Sequence, residues 1–261
     1  MKTAILKLTA TTLVATATLF AGTASGAIVV NDSAVGGGGS REGSGLGSFT
    51  TTEDTDLLLV GNAGFFTEGA ASAMTFNSKS LTEVPDSRAS YSSGHETVFF
   101  YLLNPGAHTG AIDVTRAGKD WSDTDEIVAF SISGAFASDH ISAYTAATGS
   151  GDSLSLTESV PGRARMAIDL LAVELNSGIN PTAMSGQTVA MDAIASDNDG
   201  KFNKSSYKSI SSSAVTMGWD FGTATVDRGA AYTMLVLEIP EPATAALFAL
   251  AGVALLRRRR R

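Results

Sequence analysis

From Asp56 to Ile239 the apolar and alternating runs of the chain are four to ten residues long, each broken by Gly, Asn, Asp, Ser or Pro. Helices of a dozen residues have no room between such breaks, and little 3.6-residue periodicity links one run to the next. The clearest runs are Leu57–Val60, Ala73–Phe76, Val98–Leu103, Ala111–Val114, Ile127–Ile132, Arg165–Val173, Val189–Ile194, Val215–Asp220 and Tyr232–Ile239. Their β-branched and aromatic content favours strands. Roughly ten strands without helices must cover one another's apolar faces. The expected fold is therefore all-β, a two-sheet antiparallel β-sandwich of jelly-roll-like type over residues 56–239. Val98–Leu103 is apolar on both faces, which suits a central strand. Asn104, Pro105 and Gly106 close it as a turn.

Upstream of this region, Met1–Lys7 carries two lysines, Leu8–Ala21 is apolar or small, and Ala24–Ala27 offers small residues to a peptidase. Residues 1–27 read as the helical signal peptide of a secreted protein, handed to the Sec translocon and cut by signal peptidase at Gly26 or Ala27. Residues 28–55 read as a short strand, Ile28–Val30, followed by a flexible Gly-rich loop. Seven of the twelve residues from Gly36 to Gly47 are glycine. Their spacing fits neither dinucleotide nor P-loop patterns, and no helix follows for a phosphate to sit on. The chain has no cysteine, which excludes a lipoprotein anchor, disulfides, a thiolate nucleophile and cysteine zinc sites.

The last 22 residues, 240–261, form a three-part tail. Pro240 and Pro242 lack N–H donors and fix φ, so they stop the preceding strand and hold Glu241 extended and accessible. Ala243–Leu256 is uncharged and as a helix would reach about 21 Å at ~1.5 Å per residue, short of the ~30 Å hydrocarbon core. Arg257, Arg258, Arg259, Arg260 and Arg261 are costly to move across a bilayer and belong on its cytoplasmic side. This tail resembles the PEP-CTERM sorting signal of exosortase substrates in Gram-negative bacteria. The resemblance implies that Pro240, Glu241 and Pro242 are recognised and processed by an exosortase, a membrane-embedded cysteine transpeptidase. The transmembrane helix 243–256 would tether the precursor transiently to the inner membrane, and the product would pass to the cell surface or extracellular matrix.

The body has a resemblance of its own. The runs from Leu57 to Gly134, with Tyr101-Leu102-Leu103-Asn104-Pro105 as a hairpin-corner landmark, resemble a β-sandwich domain common among bacterial exported proteins. That likeness implies a fold and carries no catalytic residue. Between Ile28 and Ile239, with leader and tail set aside, eleven basic residues face 25 acidic ones, a net charge of −14. Such a body repels nucleic acid and anionic lipid and attracts cations.

Calcium is the best-suited ion, because oxygen-rich loops bind a hard cation. Two loops qualify, one with Asp197, Asp199 and Asn203 around Gly200, the other with Asp120, Asp123 and Asp125 beside Trp121. Solvated acidic turns are the plainer reading of both. His95, His108 and His140 sit in turn-like contexts and G-x-S-x-G is absent, so a nucleophile–base set has no sequence support. Trp121, Tyr91, Tyr144 and Tyr207 lie in polar context, as a glycan platform would need, whereas Trp219 alternates with Met217 and Phe221 like a core residue. The reading is an exported surface or extracellular-matrix (biofilm) protein, non-enzymatic, with a structural or adhesive sandwich. The alternatives are a calcium-assisted glycan-binding module of lectin type, with extracellular polysaccharide as partner, and a polysaccharide-active hydrolase.

Overall fold

The structure is a computed structural model and describes residues 27–37, 45–65, 71–91, 94–116, 125–134, 140–196 and 200–239. The leader up to residue 26 and the tail from 240 lie outside the described residues, and so do the helices expected there. Ala27–Ile239 is one compact unit. All nine apolar runs are strands, most of them longer at one or both ends than the run itself, and every pairing is antiparallel.

The strands of the first half are β1 (Val29–Gly37), β2 (Leu46–Thr51), β3 (Leu57–Phe65), β4 (Ala71–Phe76), β5 (Lys79–Ser80), β6 (Thr82–Glu83), β7 (Ala89–Tyr91), β8 (His95–Leu103), β9 (His108–Arg116) and β10 (Asp125–Ser133). Those of the second are β11 (Ile141–Thr148), β12 (Ser153–Ser159), β13 (Ala164–Leu175), β14 (Thr182–Ala183), β15 (Thr188–Ser196), β16 (Lys201–Ser209), β17 (Ala214–Asp220) and β18 (Val226–Glu238).

Four sheets result. In the first half, β1-β10-β3-β8-β6, with β7 also on β8, faces β2-β9-β4-β5. In the second, β11-β18-β13-β16-β15 faces β12-β17-β14. The pairing is nested in both halves: first strand with last, second with second-last, third with the next inward. That is the jelly-roll winding, and it occurs twice. The five-strand order of one inner sheet maps onto the other as β1 to β11, β10 to β18, β3 to β13, β8 to β16, and β6 or β7 to β15. The all-β antiparallel sandwich is thus present, with four layers in place of the expected two. The segment 28–55 contributes β1 and β2, the first two strands of the first jelly roll.

Three cores separate the four layers. Leu57, Leu59, Phe99 and Phe130 meet Ile168, Leu170, Leu235 and Leu237 between the two inner sheets. Leu58, Val60, Val98 and Phe100 meet Phe49, Met74, Phe76 and Ile112 inside the first jelly roll. Leu171, Val173, Tyr232 and Met234 meet Val215, Met217 and Trp219 inside the second. An inner sheet is therefore covered on both faces, and its strands cannot alternate. All nine residues of β3 are buried, whereas the outer β12 alternates along its length. After β8, Asn104 (φ 47°) and Gly106 (φ 76°) take the left-handed conformation that lets the chain turn around Pro105.

Candidate functional site

Among the described residues the polar side chain with the most hydrogen bonds is that of Asp169, in the middle of β13. Its neighbours Ala167 and Leu171 line the core of the second jelly roll, so the period of two turns its carboxylate into that core. It is fully buried. Oδ2 accepts from Tyr232 Oη at 2.8 Å, Trp219 Nε1 at 3.1 Å and Gln187 Nε2 at 3.4 Å. Oδ1 accepts from the Ser206 backbone N–H at 2.6 Å and Ser206 Oγ at 2.8 Å. Gln187 Oε1 in turn accepts from the Gly218 N–H at 2.9 Å. One carboxylate thereby ties β13, β16, β17 and β18 to the turn before β15. With five donors its lone pairs are committed to the fold, and its role is a structural one.

A second cluster sits where β13 ends and β16 and β18 begin. A polar cleft there is lined by Glu174, Asn176, Lys201, Asp227 and Arg228. Glu174 Oε1 lies 3.4 Å from Arg228 Nε, and Glu174 Oε2 lies 3.8 Å from Nε2 of the buried His95 on β8. His95 stacks edge-on against Phe65 with ring centroids 4.7 Å apart. Burial above all, helped by the positive charges of Lys201 and Arg228, lowers its pKa to about 4. The imidazole is thus neutral near pH 7, and Arg228 supplies the cation that faces Glu174.

Burial also drives two carboxyls upward, Asp169 to about 7 against the pull of its donors, and Glu126 to about 7. Their stabilising contribution is complete below the unfolded values near 4 and is lost as pH rises through 7. His95 acts in the opposite sense, contributing fully above pH 6.5 and losing that contribution as pH falls through 4. Asp169 and Glu126 together outweigh His95 across the shared window, with Glu126 counted at a discount because water screens its half-exposed carboxyl. Urea midpoints should therefore fall between pH 5 and pH 8, by on the order of 2 kcal/mol in stability, and Glu126→Gln should flatten part of that slope. A midpoint that rises over this range would contradict the assignment.

Of the residues expected to bind calcium, the described ones are Asn203 and Asp125. Asn203 is no loop ligand: it lies on β16, opposite Ala172 and Ala193, and is fully buried. Asp125 opens β10, is buried, and accepts from Asn62 Nδ2 at 3.2 Å, so it faces the sandwich interior and not a solvated turn. Asp120, Asp123, Asp197 and Asp199 lie outside the described residues. Among the described residues no group of three or more His, Asp or Glu side chains is placed to hold a metal.

His95 is likewise a strand residue and not the loop histidine its context suggested; His108 opens β9 and His140 precedes β11. Of the aromatic candidates, Tyr207 meets Phe130 edge-on at 6.4 Å and packs on the core between the inner sheets. Tyr144 packs on the core of the second jelly roll, where Trp219 is buried as expected. Trp121 is outside the described residues. Sequence reasoning passed over Asp169 and Glu174, although a lone acid inside an apolar run was the available signal for both.

The last strand runs directly into the tail. Glu238 pairs with Ala164 across β13, its carboxylate is 5 % exposed, and it forms an ion pair with Arg163. Ile239 is 4 % exposed, and its N–H donates to the Arg163 carbonyl at 3.2 Å. Pro240, Glu241, Pro242 and the five arginines lie outside the described residues. No curated protein compared with the chain matches it. Residues 238–261 match the PEP-CTERM protein-sorting motif, so the chain carries a PEP-CTERM sorting domain and is an exosortase-sorted protein bound for the cell surface.

Proposed function

We propose that the mature protein is a structural or adhesive component of the cell surface or extracellular matrix, with no reaction centre of its own, delivered as exosortase cargo. The observation that carries this reading is the sorting motif joined without a linker to a rigid four-layer sandwich. Such a body suits a passive building block: the carboxylate at its heart is consumed by five internal donors, and its surplus of acid keeps it soluble and receptive to cations. Signal peptidase and the Sec translocon act at the other end, at or next to Ala27.

Replacing Pro240, Glu241 and Pro242 together by alanine should leave the full-length precursor in the inner membrane. Intact-mass analysis of wild-type protein from its native cells should show both ends removed, with any added mass identifying the acceptor. Mature protein that retains Arg257–Arg261 would sink the proposal. A second reading, a glycan-binding module, is favoured by the cleft of Glu174, Asn176, Lys201, Asp227 and Arg228, whose amide and charged groups suit sugar hydroxyls. A glycan array probed with and without calcium separates the two, since a structural block should bind neither way.

A further inference from the structure

We infer that the end of β18 is a clamp that the sorting protease must open, and that Arg163 sets how often it opens; this rests on the exosortase reading above. The strand that leads to the processing motif is an interior one. Leu237 pairs with Ile141 of β11 on one side and Met166 of β13 on the other, so both hydrogen-bonding edges of the chain are occupied to within a few residues of Pro240. Beyond it, Glu238 is held by the Arg163 guanidinium and Ile239 by the Arg163 carbonyl. Arg163 lies on the tight connection Pro161–Ala164, itself closed by the Ala164 N–H donating to the Pro161 carbonyl at 2.9 Å. A single residue thus fastens the last two residues of the fold, one through its side chain and one through its backbone.

Extended peptide segments are recognised through main-chain hydrogen bonds along a free edge and pockets for alternate side chains. Upstream of a cut at the Pro-Glu-Pro, the residues available for such recognition are Val236 to Ile239. Their edges are taken, and each residue as a whole is at most 4 % exposed. Three residues, 240–242, separate this buried end from the apolar tail, and at ~3.3–3.6 Å per residue they reach only about 10 Å. The protease therefore meets the folded rim itself, and engaging the upstream residues requires the strand end to fray. The Glu238–Arg163 pair opposes that fraying, because releasing Arg163 leaves a buried carboxylate without its partner cation.

The test uses the full chain in cells that process it. Conversion of precursor to the shortened form is followed by pulse-chase for wild type, for a chain with a six-residue Gly-Ser spacer between Ile239 and Pro240, for Arg163→Ala and for Arg163→Lys. The spacer should speed conversion several-fold, Arg163→Ala about twofold or more, and Arg163→Lys should return the rate toward wild type. Amide exchange at Ile239 in the purified chain reads the clamp without the protease, and should be faster in Arg163→Ala. Equal rates with and without the spacer overturn the clamp, as does slower conversion with the spacer, which would mean that the enzyme reads the rim as a docking surface. If no version is converted while Ile239 exchange still responds to Arg163→Ala, the sorting reading fails and the role of the clamp falls with it.

Discussion

Replacing Asp169 by alanine should destabilise the chain by about 4 kcal/mol, as measured by urea unfolding at pH 6, because it strands a set of buried donors in one step. Trp219 Nε1 loses its acceptor, and so do Tyr232 Oη and both donors of Ser206. Those groups lie on β16, β17 and β18, so the loss is spread across both sheets of the second jelly roll. Asp169→Asn keeps the shape, yet it turns an amide donor toward groups that are themselves donors, and should recover less than half of the loss. Trp219→Phe removes one donor and keeps most of the ring volume; it should cost roughly 1–2 kcal/mol. A variant Asp169→Ala as stable as wild type would show that the carboxylate is dispensable to the fold.

The second large effect is expected at Phe99. Its side chain is fully buried in the core between the inner sheets, opposite Gly61, where an added Cβ would lie 2.9 Å from the Phe99 ring. Phe99→Ala should cost about 4 kcal/mol in transfer and cavity terms. Phe99 shares its core with Leu170 of the second jelly roll, so the two halves should still unfold in one transition, with an unchanged urea slope. Circular dichroism, which sees both halves, and the fluorescence of Trp219 in the second, read in a Trp121→Phe background, should give coincident curves. Two separated transitions would mean that each jelly roll folds by itself and the shared core adds little.

The strands were legible where their composition follows burial. Leu57–Val60 and Val98–Leu103 are apolar at every position because inner strands have two covered faces, and both lie in inner strands of the first jelly roll. β16 was illegible for the opposite reason. Its residues Asn203, Lys204, Ser205 and Ser206 are fully buried, yet they spell the composition of a loop. They are tolerated because tertiary partners satisfy them: Lys204 meets Asp192 across β15, Ser205 Oγ donates to the Asp169 carbonyl at 2.6 Å, and Ser206 meets the Asp169 carboxylate. The same strand holds Asn203, which its sequence context placed in a loop. Asp169 was passed over although it is an acid within an apolar run, and its donors come from positions 187, 206, 219 and 232, which no local pattern joins.

The short, interrupted apolar runs determined by themselves that the chain is all-β and antiparallel, since propensity and turn chemistry act within a few residues. The terminal motif was equally self-sufficient, because a sorting signal is read as a linear segment. The number of layers, the doubling of the jelly roll, the burial of a polar strand and the fastening of Glu238 to Arg163 were decided only in three dimensions. Each depends on residues far apart in the chain, such as Arg163 and Glu238, which are 75 positions apart, and at that range the energy of a contact rests on what the rest of the fold brings to it.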